Sequence, residues 1–236
     1  EYMPYDRLEQ DIEMMKAANI NVVRSAESTW SALEPQEGTF DFTHIDRVLD
    51  AMETNDIHVI VGTPTYAIPS WMAKSHPEVI ATTNKGRGLY GVRQNMDITH
   101  PVYLFYAERI IRTLIAHVAQ RKCVIGYQID NETKYYDTAS ENVQREFIKY
   151  LREKFLNDLN ALNDEFGLAY WSNRIDSWED FPDIRGTINA SLGAEYAKYQ
   201  RTLVDKFLQW QAELVTQYKR EDQFITQNFD FEWRNY

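Results

Sequence analysis

The chain has 236 residues, of which 44% are hydrophobic, so it can form one large core and intrinsic disorder is not indicated. Its formal net charge of −11 argues against binding to nucleic acid or to an anionic membrane surface, because both need a basic patch. The single cysteine, Cys123, allows no internal disulfide and no multi-cysteine metal site. No apolar run reaches membrane-spanning length and no signal peptide is visible, so we expect a cytoplasmic protein.

Short apolar strands alternate with helices along the chain. Clusters of β-branched and aromatic residues predict strands at residues 20–24, 57–61, 124–129 and 224–229. Apolar residues three or four positions apart predict helices at residues 6–18, after 43, at 103–118, from about 140 and from 192. Thr43 and Asp46 form a capping signature for the second helix. Residues 163–189 show no clear period and are predicted to be irregular.

Alternating strands and helices predict an α/β fold with a parallel sheet, either doubly wound or closed into a barrel. No glycine-rich phosphate-binding loop follows a strand, which weakens the doubly wound alternative. Polar residues follow successive strands, at 24–27, 63–65, 131–132 and 228. A (β/α)8 TIM barrel builds its active site in this way, so we predict such a barrel. Four strands cannot close it, so residues 1–236 are expected to be an incomplete portion of one catalytic domain.

The stretch 124–132 carries the strongest sign of chemistry. It begins as a buried, β-branched strand and ends abruptly in Asp130, Asn131 and Glu132. A carboxyl group at a strand end suits a proton donor, and an amide beside it can bind a substrate hydroxyl. A strand that simply ends in a polar turn fits the same residues, and this segment alone does not separate the two alternatives.

The connection between the second and third strands is longer than a simple connecting loop, and its length predicts a functional segment. It contains Arg93 within a glycine-rich stretch. Arg93 fits either a solvated surface residue or a partner for a carboxylate. Cys123, at the start of the third strand, is interpreted as a small buried residue and not as a reactive thiol.

Several segments, in order along nearly the whole chain, resemble glycoside hydrolase family 42, the β-galactosidases. They are residues 21–24 (NVVR), 30–42 (WSALEPQEGTFDF), 69–73 (PSWMA), 93 (R), 128–132 (QIDNE), 159–163 (LNALN), 170–172 (YWS) and 225–229 (ITQNF). Each segment is modest by itself, and their ordered spacing makes the set specific. The resemblance implies a retaining β-galactosidase on a (β/α)8 barrel, of which this chain covers strands two to five.

By this resemblance, Glu132 is the catalytic acid/base on the fourth barrel strand, and Asn131 and Arg93 contact the sugar and a carboxylate. Trp171 fits either stacking on sugar, in a neighbouring subunit's site because family members are often trimers, or packing in the core. The resemblance therefore implies a terminal β-galactoside as substrate and a homotrimer as the assembled form. It implies no cofactor. The family's nucleophile is a glutamate on the seventh strand, for which this chain has no counterpart.

One departure from the family concerns a metal site. Many members hold a structural zinc with four cysteines, one near the arginine and the others soon after the acid/base. Here residues 93–97 (RQNMD) and 133–137 (TKYYD) contain no cysteine. We therefore expect no zinc and a distinct conformation after Glu132.

Two other functions remain open on the sequence. A related barrel glycosidase of different specificity is one, and a non-catalytic carbohydrate-binding fragment or pseudoenzyme is the other. A second glutamate at a strand end would indicate a glycosidase, and its absence would indicate the non-catalytic alternative. Glu27 and Glu34 are interpreted as structural hydrogen-bonding groups. Glu232 follows the fifth barrel strand, whereas the family's nucleophile lies two strands further on, on the seventh.

Overall fold

The structure is a computed structural model that describes residues 5–230. The helices longer than a single 3-10 turn are α1 Leu8–Ala17, α2 Trp30–Leu33, α3 Thr43–Thr54, α4 Ser70–Ser75, α5 Pro101–Val118, α6 Glu141–Lys154, α7 Leu159–Phe166 and α8 Ala190–Thr216. The strands are β1 Val22–Ser25, β2 His58–Gly62, β3 Thr82–Thr83, β4 Gly86–Arg87, β5 Val124–Gln128 and β6 Phe224–Thr226.

Four strands form one parallel sheet in the order β1-β2-β5-β6. At least one helix lies between each strand and the next in the sheet, as parallel connections require. The long connection after β2 is not a plain loop, because it contains α4 and the small β3–β4 hairpin. Because the strands are parallel, the residues that follow them all emerge at one edge of the sheet. No helix in the described part of the chain is long and apolar enough to cross a membrane.

The core lies where α5 and α8 pack against the sheet. α5 is buried along one face, and its Tyr103 ring lies 6.1 Å from the ring of Phe207 on α8. Phe147 of α6 is 1% exposed and packs edge-on against Tyr196, with 4.9 Å between ring centroids. These aromatic contacts join the two long helices and α6 within one apolar core.

The predicted strands are all present, with shifted ends. β1 begins at Val22, because Asn19 turns the chain with φ +57° and Ile20 still donates to Met15 of α1. β6 ends at Thr226, where its carbonyl accepts the last bond from the β5 side, donated by Ile129. Residues 227–230 leave the ladder, and the side chains of Gln227 and Asn228 reach the end of β5.

Two local predictions were wrong. Thr43 does not cap α3, because it is already helical and the Asp41 carboxylate accepts its backbone N–H at 2.9 Å. Residues 163–189 are not irregular throughout, because α7 extends to Phe166. The Asp158 side chain accepts two N–H groups at the start of α7, and Gly167 ends it at φ +62°.

Candidate active site

The chain turns sharply where β5 ends. Asp130 has φ +49° and Glu132 has φ +47°, a left-handed conformation that costs a non-glycine residue about 1–3 kcal/mol. Asp130 and Asn131 are buried, whereas the Glu132 side chain is 28% exposed. The two turns therefore bury the first two polar residues and present the third one to solvent.

Two neighbouring segments hold Asn131 in place. Asn228, just beyond β6, donates from Nδ2 to Asn131 Oδ1 at 3.0 Å and accepts the Glu132 N–H at 3.3 Å. Gln94 donates from Nε2 to the Asn131 carbonyl at 2.7 Å. No described residue accepts from Asn131 Nδ2, so this amide group is available to donate to a substrate hydroxyl.

Arg93 pairs directly with Glu132. Its Nη2 lies 3.0 Å from Glu132 Oε2, and its guanidinium lies 5.7 Å from the centre of the Tyr66 ring. The Arg93 side chain is 56% exposed, so the pair is open to solvent. The guanidinium therefore lies within hydrogen-bond distance of the carboxyl group proposed to handle the proton. The carboxylate partner of Arg93 in residues 5–230 is therefore Glu132, the acid/base candidate.

Trp171 lies apart from these residues. Its indole is 62% exposed and stacks on Tyr170, with 4.9 Å between the ring centroids. It sits in a single 3-10 turn after α7, with φ +55°. No hydrogen bond or ring contact within residues 5–230 joins Trp171 to Glu132, Asn131 or Arg93, so its contact with sugar stays a prediction.

The sequence analysis missed the surroundings of Asp130. This carboxylate is 1% exposed, and burial raises its pKa to about 6 against the hydrogen bonds from Thr133, Thr65 and the Asn131 backbone. Asp130 stands in the QIDNE motif, but a buried aspartate and a turn aspartate look alike in a sequence. Tyr136 was also missed. Its hydroxyl is buried without a well-formed hydrogen bond to any residue of 5–230, and burial raises the pKa of Tyr136 well above its usual value.

The acids near β1 are engaged in the framework. Arg24 pairs with Glu27 at 2.9 Å and donates to Gln128 Oε1 at 2.6 Å, which ties the end of β1 to the end of β5. Glu34 is fully buried, and it pairs with Arg109 and accepts from the Trp30 indole at 3.0 Å. These contacts support the structural role expected for Glu27 and Glu34.

The segment after Glu132 provides no metal site. Residues 5–230 contain no group of three or more His, Cys, Asp or Glu side chains placed to hold a metal ion. Lys134 pairs with Asp230, and Tyr136 and Asp137 both have positive φ. The segment therefore has an irregular course that is held by ordinary side-chain contacts.

Comparison with known proteins decides the family. The sequence profile of glycoside hydrolase family 42, described as Beta-galactosidase, matches residues 1–236. The chain belongs to this family. Two curated relatives are a β-galactosidase BgaA of Clostridium cellulovorans, 30% identical over 93% of this chain, and a β-galactosidase Pbg of Clostridium perfringens, 36% identical over 72%. The chain covers 34% and 25% of their respective lengths.

Solved structures of family 42 enzymes superpose closely on this chain. A catalytic mutant of Gan42B, a GH42 β-galactosidase from G. stearothermophilus, matches 97% of the chain with a TM-score of 0.90 and 27% identity. The β-galactosidase of the psychrophilic Marinomonas ef1 matches 97% with a TM-score of 0.89 and 25% identity. The chain covers 34% and 36% of these structures. The predicted family and the predicted portion of a (β/α)8 barrel are therefore confirmed, and β1, β2, β5 and β6 are barrel strands two to five.

Proposed function

We propose that the polypeptide carrying this chain is a retaining glycoside hydrolase that cleaves terminal β-D-galactosides, with Glu132 as its acid/base. The observation that carries the proposal is the presentation of Glu132 at the end of the fourth barrel strand. It is partly exposed, Arg93 lies at 3.0 Å, and Asn131 offers a free amide donor beside it. β-Galactosidase is the activity named for the family and for its relatives, which supports this substrate class.

In the proposed reaction Glu132 acts twice. It first donates a proton to the glycosidic oxygen while a second carboxylate attacks the anomeric carbon and forms a glycosyl-enzyme. It then removes a proton from the water that hydrolyses this intermediate. Arg93 pairs with the Glu132 carboxylate and also reaches the sugar. Asn131 donates from Nδ2 to a sugar hydroxyl, and its Oδ1 is held by Asn228.

We assign the nucleophile to a residue outside the described part of the chain. Retaining chemistry needs two carboxyl groups about 5–5.5 Å apart. Glu27 is committed to Arg24 and Glu34 is buried against Arg109, so neither is free to attack a sugar. Glu232 lies outside the described residues. The expected position is the seventh barrel strand, whereas the strands described here are the second to the fifth.

We also propose that the exposed Tyr170–Trp171 stack meets substrate across a subunit boundary in a homotrimer. Trp171 is exposed to solvent and stacks only on Tyr170 among the described aromatic residues, so its face is accessible to a neighbouring subunit's substrate. Trp171→Ala should then raise KM for lactose more than it lowers kcat. An unchanged KM in the trimer would contradict this role.

The central test substitutes Glu132→Gln in a family-length protein that carries this chain. The variant should lose lactose hydrolysis by about 10²–10⁴-fold, because a sugar leaving group needs protonation. With dinitrophenyl β-galactoside, which leaves without a proton, the first turnover should persist and added azide should speed the next ones. Glu141→Gln is the matched control, since Glu141 is 88% exposed and begins the remote helix α6. Wild-type hydrolysis of lactose by Glu132→Gln would refute the assignment.

A further inference from the structure

A buried carboxylate lies two residues before Glu132. The Asp130 side chain is 1% exposed, and no lysine or arginine in residues 5–230 forms an ion pair with it. We propose that Asp130 is a positioning residue for Glu132, because its ionised carboxylate closes a ring of hydrogen bonds that fixes the turn carrying Asn131 and Glu132. This inference rests on the function proposed for Glu132.

The ring has a single possible direction. The backbone N–H of Asp130 can only donate, and it donates to Thr63 Oγ1 at 2.6 Å. The Thr63 hydroxyl then donates to Gln211 Oε1 at 2.6 Å, and Gln211 Nε2 donates to Thr65 Oγ1 at 2.9 Å. The Thr65 hydroxyl donates in turn to Asp130 Oδ1 at 2.5 Å. The ring therefore begins and ends on Asp130, and its last atom must be an acceptor.

The second carboxylate oxygen is used in the same way. Thr133 Oγ1 donates to Asp130 Oδ2 at 2.5 Å and accepts from Gln227 Nε2 at 2.9 Å. Each carboxylate oxygen of Asp130 thus accepts a hydrogen bond from a threonine hydroxyl, and each of these hydroxyls in turn accepts a hydrogen bond from a glutamine side-chain amide. An amide in place of this carboxylate would present N–H groups to one of the two hydroxyls, and that hydroxyl's proton would lose its acceptor in a buried site. An ionised carboxylate alone satisfies both positions.

The ring anchors the turn to the rest of the barrel. Thr63 and Thr65 follow β2, and Gln211 is a fully buried residue of α8. The left-handed backbone at Asp130 and Glu132 is held against these elements, and the cost of that conformation is offset by contacts that reach across the sheet. Loss of the ring frees the turn, and a shift of about 1 Å in a catalytic group can cost about 10²-fold in rate.

Asp130→Asn in the family-length protein tests the proposal. We expect lactose kcat to fall about 10²-fold with little change in KM, while the first turnover of dinitrophenyl β-galactoside falls less than about 3-fold. Added azide should speed later turnovers, as it does for Glu132→Gln. Thr65→Val removes one hydroxyl of the ring and leaves the side chain's size nearly unchanged. It should also lower the rate on lactose relative to the first turnover of dinitrophenyl β-galactoside. It also carries the test if Asp130→Asn does not fold.

Asn163→Ala is the matched control. Asn163 is equally buried, forms two hydrogen bonds with the Ile175 backbone and donates a third to the Leu159 carbonyl within α7. Its loss should lower the melting temperature and leave both the lactose-to-dinitrophenyl ratio and the azide response unchanged. If Glu132→Gln behaves as an acid/base variant but Asp130→Asn and Thr65→Val keep the wild-type ratio, the positioning role is refuted alone. If Glu132→Gln keeps wild-type activity on lactose, the proposed function itself fails.

Discussion

Asp130 should give the folded chain an unusual dependence of stability on pH. Burial raises the pKa of its carboxyl to about 6, whereas an unfolded chain has an aspartate pKa of about 3.9. Between about pH 4 and pH 6 the folded state therefore keeps a proton that the unfolded state has lost. Because the folded state binds more protons in this window, the free energy of unfolding falls as the pH rises. The stabilising contribution is fully present below about pH 4 and is lost above about pH 6.

The size of this effect follows from the difference between the two pKa values. About two pKa units correspond to about 3 kcal/mol, at 1.36 kcal/mol per unit. Tyr103 and Tyr136, the titratable groups that act electrostatically on Asp130, are neutral throughout this range and do not alter the sign. Asp183 behaves in the opposite way, because the Arg185 side chain lowers the pKa of its carboxyl to about 2.

The assay is urea unfolding, followed by tryptophan fluorescence at several pH values from 4 to 7.5, for the parent, Asp130→Asn and Asp183→Asn. Other groups titrate alike in all three proteins, so the differences between their free energies of unfolding isolate each carboxyl. The free energy of unfolding of the parent, relative to that of Asp130→Asn, should fall by about 3 kcal/mol as the pH rises across the range. The difference between the parent and Asp183→Asn should stay nearly constant above pH 5. A flat difference for Asp130→Asn, or a change of opposite sign, would refute the reasoning.

Three further outcomes are expected. Gly62→Ala should lower the melting temperature, because the new Cβ would lie 2.5 Å from Glu27 Cβ and 2.9 Å from Glu27 Cα. Gly186→Ala is the neutral control, because no atom lies within 4 Å of the Cβ that it adds. Cys123 should resist Ellman's reagent at pH 8 until urea unfolds the chain, since it is buried and burial raises its pKa to about 11. EDTA should leave the melting temperature unchanged, and stoichiometric zinc with a shift on chelation would contradict the reading of residues 133–137.

The four strands and the polar end of β5 could be predicted because they depend on local patterns. β-branched runs identified the four strands, and the abrupt polar end of β5 identified Asn131 and Glu132. The limits of α7 were missed, because its signals are the single residues Asp158 and Gly167 at its ends and not a strong apolar period. The Thr43 cap was wrong because Asp41, two residues earlier, competes for the same N–H group.

The contacts around Glu132 could not be predicted from local sequence patterns. Gln94 reaches the Asn131 carbonyl across 37 residues of sequence, and Gln211 reaches Thr65 across 146. Each is an unremarkable amide in its own segment, and only the folded sheet brings it to the site. The roles of Asn131, Arg93 and Trp171 in binding substrate stay predictions, because they depend on a sugar and on partner surfaces.

The register of the sheet also has a consequence for the order of folding. The paired residues Val22 and His58 are 36 positions apart, Ile60 and Gly126 are 66 apart, and Gly126 and Phe224 are 98 apart. The entropic cost of closing each loop grows with its length, and it is about 1 kcal/mol greater for the last pair than for the first. The sheet is therefore expected to grow from β1 towards β6. Asn228 follows β6, so Asn131 and Glu132 gain their contacts with Asn228 only when β6 docks.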